Sequence, residues 1–408
     1  MRKSCKRTVV AVGLCAVALS CGLAACANGG SGSAASAPEP DQFGVITAEA
    51  WSQTYPNEYA TYMMNEANSP ESGKMNYLEE YPALNTMYKG YGFAKGYDEA
   101  ASHNYTLQSI LETPRVNEKT LANCITCKTP QFTAMVNSQG DEVYAMPFAD
   151  LISQFDEPIS CYNCHENDPE TVTFTNGFYA NSLGDSASTT PVEAQSCGQC
   201  HNEYYFDPDT KATTNPYSGT DAMTAEAMLA YYNELGFSDW EHPDTGAKML
   251  KAQHPEFETI YGGTGSRMAA QGYSCADCHM APAVDDEGNE YVSHQLVKPT
   301  ESDAIMEKCQ PCHADLAGQV AQWQDEITAR EHAISDEIER YIDELAAKKD
   351  SLSADDLARA QQIHREAQWY WDYVMVENSE GAHNPSAANA NLDKAEQLLE
   401  EGFKILGA

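Results

Sequence analysis

Helical spacing of apolar residues is sustained only in the last part of this chain. After His313, the residues Ile334, Ile338, Ile342 and Leu345 recur three and four apart, which puts them on one face of an α-helix. Leu357, Ile363, Ala367, Trp371 and Val374 form a second stripe. It opens on Ser353-Ala-Asp-Asp356, which has the form of a capping box. Leu392, Ala395, Leu399 and Phe403 line a third. Residues 316–408 are therefore predicted to be long amphipathic helices. Their stripes suit two uses, packing on the rest of the chain or contact between two copies.

Upstream the pattern dissolves. Trp51 to Ala101 is rich in tyrosine with scattered prolines, and 102–315 holds many turn-forming residues with little periodicity. Runs of alternating β-branched residues are few, so a large sheet is not expected. The expected fold is mainly α, with a loop-rich core over 43–315 and long helices after it. The first residues read as targeting rather than fold. Arg2, Lys3, Lys6 and Arg7 precede the apolar run Val9 to Leu19, the layout of a signal peptide over 1–25. Leu23-Ala24-Ala25-Cys26 resembles a bacterial lipobox, with cleavage before Cys26 and lipidation of its thiol. An uncleaved anchor is the competing reading, for which the run is short. Residues 26–42, rich in Gly, Ser and Ala, then form a flexible tether. This layout places the protein outside the cytoplasmic membrane and holds it there by lipid.

Charge narrows the partners. With 61 acidic residues against 24 basic, the net charge is −37, which disfavours nucleic acid and anionic surfaces. Cysteine then sets the chemistry. Of 14 cysteines, Cys5, Cys15, Cys21 and Cys26 lie near the N-terminus, and the other ten form five Cys-x-x-Cys pairs. In four pairs the next residue is histidine: Cys161/Cys164/His165, Cys197/Cys200/His201, Cys275/Cys278/His279 and Cys309/Cys312/His313. Such a motif is a c-type haem attachment site, its thiols adding to the porphyrin vinyls and its histidine supplying an axial ligand. Zinc clips or short disulfides would not require that histidine. The remaining pair, first in the chain and so the first haem site, reads Cys124-Ile-Thr-Cys127-Lys128. An amine binds iron only when deprotonated, well below its usual pKa of about 10.4, so the altered motif marks a site of chemistry. The sequence thus describes a multihaem cytochrome c with five covalently bound haem c groups. Seven further histidines (His103, His242, His254, His294, His332, His364 and His383) are available as second axial ligands.

From about Trp51 onward the chain resembles the ammonia-forming pentahaem cytochrome c nitrite reductases. The resemblance rests on Cys124-x-x-Cys127-Lys128, on Cys197-Gly-Gln-Cys200-His201-Asn-Glu203-Tyr204-Tyr205-Phe206, and on Lys251-Ala-Gln253-His254-Pro255-Glu256. It implies an open catalytic haem at Lys128, with Arg115, Tyr204 and His254 on its distal side. It also implies His103, His294 and His383 as distal ligands of the third, second and fourth haems. One calcium ion is implied, held by the Glu203 and Gln253 side chains and the carbonyls of Tyr204 and Lys251, and oxygen donors suit that ion. A membrane quinol-oxidising cytochrome as electron donor and a homodimer formed through the C-terminal helices follow as well. Where relatives carry a histidine seven residues before the fourth haem's first cysteine, this chain has Met268. Either Met268 ligates the fifth haem, raising its potential, or it is a packing residue and His242 or a shifted segment takes that place.

Nitrite is an anion approaching an acidic protein, so a fixed cation is needed. Arg115 is always protonated and can hold the anion by charge-assisted hydrogen bonds. His254, expected to titrate near neutrality, can donate protons as N–O bonds break, and Tyr204 can hydrogen-bond or relay a proton. The leading expectation is six-electron reduction of nitrite to ammonium. The alternatives are a related reductase of hydroxylamine or sulfite, or a pure electron-transfer cytochrome with every haem six-coordinate.

Overall fold

The haem-motif region is built from short elements joined by turns. In the computed structural model, which describes residues 38–70, 74–92, 96 and 99–407, its helices include Pro56–Met63 (α1), Thr106–Glu112 (α2), Pro130–Gln139 (α3), Val192–Gly198 (α4), Ala225–Leu235 (α5) and Glu256–Tyr261 (α6). The signal segment 1–25 and Cys26 lie outside the described residues. Side-chain caps start several helices. The Thr129 and Thr224 hydroxyls accept the backbone N–H of Gln131 and Ala227 and open α3 and α5. Gly236, at φ 68°, closes α5 in the left-handed conformation that glycine adopts without penalty.

Three two-stranded antiparallel hairpins complete the core: Tyr205–Phe206 (β1) with Thr213–Thr214 (β2), Trp240–Glu241 (β3) with Lys248–Met249 (β4), and Met280–Val284 (β5) with Glu290–Leu296 (β6). No larger sheet exists among the described residues, as the lack of alternation predicts.

The C-terminal helices are Leu316–Lys348 (α7), Ala354–Met375 (α8) and Pro385–Leu406 (α9). At 1.5 Å per residue, α7 is roughly 50 Å long. All three predicted stripes turn inward: Ile334, Ile338, Ile342, Leu345, Ile363, Ala367, Trp371, Val374, Leu392, Ala395, Leu399 and Phe403 are buried, while Leu357 is half-buried. They close on one another and on Tyr81, Leu84, Met87, Tyr179 and Phe257 of the upstream region, forming one apolar cluster. The stripes are thus satisfied within one chain. Helix α9 approaches α7 so closely at Gly402 that an added Cβ would lie 2.4 Å from the Tyr341 ring. The expected capping box before α8 is half made. Ser353 accepts the N–H of Asp356 at 3.1 Å, but the Asp356 carboxylate takes the Ser353 hydroxyl instead of its N–H. Among the described residues, no helix is long and apolar enough to cross a membrane.

Candidate active site

The lysine motif sits on a short 3₁₀ turn, Ala122–Ile125, backed by a second apolar cluster that includes Leu107, Ile110, Ile125, Phe132 and Phe148. Lys128 lies deep in this region. Burial lowers its pKa below the usual lysine value, and the Arg115 charge lowers it further. Both effects favour the neutral amine, the form that binds a metal. Arg115 is close enough to act on Lys128, Cys124 and Tyr204 alike. Its guanidinium is held by Glu99 at 2.6 Å and by the Thr113 hydroxyl at 2.9 Å. Tyr204 has its pKa raised, chiefly by burial, so it remains a phenol and a hydrogen-bond donor.

His254 lies within electrostatic reach of Lys128. Its ring is accessible by area but set deep in the fold, and that depth lowers its pKa to about 4. This lies below the near-neutral range expected from the sequence, because the depth of the site disfavours the charged ring. The structure therefore gathers Lys128, Arg115, Tyr204 and His254 around one motif.

The remaining motifs show the geometry a haem requires. Two imidazoles binding one metal at about 2 Å would place their ring centroids roughly 6 Å apart. His103 and His201 stand 6.2 Å apart, His165 and His294 6.2 Å, and His279 and His383 6.0 Å. Three of the proximal histidines thus each face one of the histidines expected opposite, and the residues fit the group. Backbone carbonyls hold Nδ1 of His165 (Thr171, 3.0 Å), His279 (Val297, 2.9 Å) and His294 (Val292, 3.0 Å). Carboxylates stand behind two more of these six rings. Glu377 lies 2.5 Å from His383, and Glu256 lies 3.7 Å from His201. Burial alone would lower the pKa of His383, but Glu377 outweighs it and raises it to about 9.

His242 is wholly buried, 2.9 Å from the Thr86 carbonyl and packed on His364 at 5.1 Å. His332 pairs with Glu80 at 2.8 Å. These contacts engage three of the seven non-motif histidines, and the three facing pairs engage three more. Only His254 is left, beside Lys128, so none falls to His313. Met268 is half-buried just before the turn Ala269–Gln271.

Thiols of successive motifs approach one another. Cys127 and Cys200, and Cys197 and Cys275, lie close enough to shift one another's pKa, and Cys309 lies close enough to Cys278 to raise its pKa. Cys164 lies beside Cys197 and Cys200. The spatial order is 124–128, 197–201, 275–279 and 309–313, with 161–165 branching from the second. Gly198 permits this crowding, since a Cβ there would fall 2.4 Å from the Phe257 ring and from the Tyr179 hydroxyl.

Cys312 stands apart from the other motif thiols. The other nine are partly buried, whereas Cys312 is exposed. The reason is its place in the chain. The helix Asp303–Cys309 ends at the motif's first cysteine, and the turn that follows runs over the surface, with Gln310, Pro311, Ala314 and Asp315 exposed around it. The fifth motif therefore caps the edge of the core instead of filling its interior.

Glu203 is fully buried. Its carboxylate accepts the Gln253 N–H at 2.6 Å and the Tyr232 hydroxyl at 2.9 Å. Burial pushes its pKa well up. The Gln253 side-chain nitrogen donates to the Lys251 carbonyl at 3.1 Å, while its oxygen is buried with no protein partner. A buried acceptor without a donor is costly and fits an oxygen-seeking cation. Among the described residues no three His, Cys, Asp or Glu side chains gather as metal ligands, so such an ion would rely on amide and backbone oxygens besides Glu203. The extended segment that carries Lys251 to His254 is clamped by Asp372 of α8. That carboxylate accepts the Ala252 N–H at 2.8 Å and the Tyr88 hydroxyl, and lies 3.6 Å from the Lys251 ammonium.

Sequence reasoning missed Glu99, Glu377 and Asp372. Glu377 stands six residues before His383 and was within reach of it; Glu99 and Asp372 make their contacts across the fold and left no local signal.

Comparison with known proteins agrees with this geometry. The family model for cytochrome c552 matches residues 47–404. A cytochrome c nitrite reductase subunit from Nitratidesulfovibrio vulgaris is 30% identical over 417 residues, covering 88% of this chain and 78% of that protein. A cytochrome c-552 from Parabacteroides distasonis is 30% identical over 390 residues, covering 88% and 76%. The solved structure of a cytochrome c nitrite reductase from Desulfovibrio desulfuricans, in whose catalytic subunit two calcium sites are described, superposes with a TM-score of 0.78 at 25% identity, covering 89% of this chain and 86% of that one. With the motifs, the facing histidines and the long C-terminal helices, the chain belongs to the cytochrome c552 family.

Proposed function

We propose that this protein reduces nitrite to ammonium at a haem held by Cys124, Cys127 and Lys128, with electrons fed through four further haems. The observation that carries the reading is Lys128 itself, a half-buried lysine set far enough into the fold to lower its pKa, which stands where the other four motifs have histidine. Bound there, a haem would supply an iron centre for the nitrogen of nitrite and a path for electrons. Lys128 would give that iron one neutral nitrogen ligand and leave its opposite face for substrate.

The chain's own residues supply the rest. Arg115 offers the fixed cation an anion needs in a protein of net charge −37. Glu99 restrains its guanidinium at 2.6 Å, which limits its rotamers but also offsets part of its charge. Tyr204 donates a hydrogen bond. His254, neutral at pH 7, acts as an N–H donor and proton relay rather than a standing cation. The Gln253 side-chain oxygen, the Glu203 carboxylate and the carbonyls of Tyr204 and Lys251 would hold one Ca²⁺, and the orphaned Gln253 oxygen supports that assignment. The ion would fix Tyr204 and His254 relative to one another.

The other haems would be held by His103 with His201, His165 with His294, His279 with His383, and Met268 with His313. The engagement of His242 by Thr86 and His364 favours the methionine. Cys309 and Cys312 keep their assignment to the last of these haems on the Cys-x-x-Cys-His motif, and the exposure of Cys312 would set that haem at the protein surface. Replacing Met268 by alanine is expected to abolish a methionine-to-iron charge-transfer band. We further propose cleavage of residues 1–25, lipidation of Cys26, an extracytoplasmic location, a membrane quinol-oxidising cytochrome as donor, and a homodimer. Since the inward stripes are spent within one chain, such a dimer would use the outward residues of the long helices.

Electron paramagnetic resonance of the oxidised holoprotein tests the central proposal. A high-spin ferric signal that changes on adding nitrite is the expected result. Five low-spin haems indifferent to nitrite would mean an electron carrier, and a signal responding only to hydroxylamine or sulfite would move the substrate.

A further inference from the structure

The axial histidines differ in what stands behind them, and that difference is the basis of a further assignment, which rests on the multihaem reading above. His165, His279 and His294 each place Nδ1 against a neutral backbone carbonyl at 2.9–3.0 Å. His383 places Nδ1 against the Glu377 carboxylate at 2.5 Å. Glu377 is only 3% exposed. Its second oxygen accepts the Ser379 hydroxyl at 2.5 Å, and that hydroxyl accepts the His383 backbone N–H at 3.0 Å. The seven residues from Glu377 to His383 link the end of α8 to the start of α9. Glu380 and Gly381 both have positive φ, 54° and 82°, and a Cβ at Gly381 would fall 2.6 Å from Ile327 of α7. The three long helices therefore hold this carboxylate in register with the imidazole.

A carboxylate at such range pulls the Nδ1 proton toward itself and makes the opposite ring nitrogen a stronger donor to iron. Stronger donation stabilises the ferric state, and so lowers the reduction potential. We propose that Glu377 is a positioning residue that sets the His279/His383 haem at a lower potential than the His165/His294 haem, which has carbonyls behind both rings. The 275–279 motif lies between 197–201 and the terminal 309–313. A depressed potential there raises a step between the terminal haem and the rest, so that an electron reaching the terminal haem tends to stay.

The test is a spectropotentiometric titration of the holoprotein, with low-spin resonance spectra, for the native chain, Glu377→Gln and Ser379→Ala. In Glu377→Gln, the ratio of reduced to oxidised haem at fixed poise should rise about tenfold for one haem, equivalent to about 59 mV for one electron. Its spectrum should move toward that of neutral bis-imidazole haem. Ser379→Ala leaves the carboxylate in place and frees its second oxygen, so the same haem should shift the opposite way. Unmoved potentials in either variant carrying five haems overturn the proposal. If Glu377→Gln loses a haem, Ser379→Ala alone decides by the same criterion. A native protein with fewer than five haems, or without bis-imidazole ligation at this site, would count against the underlying multihaem reading instead.

Discussion

The region before His313 and the region after it solve different problems with one chain. Beyond residue 315 three helices of 33, 22 and 22 residues pack on one another through stripes of aliphatic and aromatic side chains. Before it, no described helix exceeds 11 residues, and much of what is buried is polar: Asn163, Gln199, Asn202, Glu203, Asn215, Glu256 and Glu258 among others. A chain that packs on itself writes its period into the sequence. A chain that packs around a prosthetic group has its partner's shape to follow, and its side chains are chosen for ligation and hydrogen bonding. Hence the first region should tolerate changes in its chemistry badly and the second changes in its volume badly.

Lys128→His sharpens that contrast most. Haem content should persist while nitrite turnover falls by about a hundredfold, because the altered ligand repositions the reacting centre; unchanged turnover would remove Lys128 from its assigned role. Leu399→Ala, in the helical region, should do the reverse. A fully buried leucine lost from α9 costs about 2–5 kcal/mol, visible in chemical denaturation, while resonance spectra stay as they were.

Asp372→Asn tests where the two regions meet, since this α8 residue clamps the segment bearing His254. Loss of one partner from a buried ion pair costs about 3 kcal/mol. Here stability and chemistry should both suffer, with more calcium needed for half-maximal activity. If turnover and calcium dependence are untouched, the clamp is purely structural.

The smallest effect concerns Glu331 on α7, which is 1% exposed and accepts the Tyr81 hydroxyl at 2.8 Å. Burial pushes its carboxyl up to about 8, above the roughly 4.3 of an unfolded glutamate. Between those values the folded state keeps a proton that the unfolded state has released. Stability from this group is therefore full below about pH 4 and is lost as pH rises toward 8. Glu331→Gln should raise the melting temperature at pH 8 by about 2 °C or more and change it little at pH 5.

The sequence carried the helices and the haem motifs well because both are local. Ile334 to Leu345 share a face by spacing alone, and a thiol pair followed by histidine needs no tertiary knowledge. How deep each thiol sits is another matter, and the exposed Cys312 shows that identical motifs can occupy unlike depths. His103, His294 and His383 came from resemblance, and the structure sets each opposite a motif histidine. Long-range electrostatics stayed hidden. Nothing near Arg115 announces that Glu99 binds it, and nothing in Pro255-Glu256 shows how far burial shifts His254. The capping box at Ser353 was legible only in half, since the Asp356 carboxylate takes the Ser353 hydroxyl and not its backbone N–H, whereas Asp277 completes the box at Ser274.

The close approach of the cysteine pairs describes a network with one junction. The 197–201 motif touches the lysine motif, the 161–165 motif and the 275–279 motif. On the electron path proposed above, take away either outer branch and a route to Lys128 would survive through the other. Take away the junction and every route closes together. Redundancy is thus distributed unevenly over five near-identical sequence motifs, and the least replaceable of them is the one whose second residue, Gly198, has no room for a side chain.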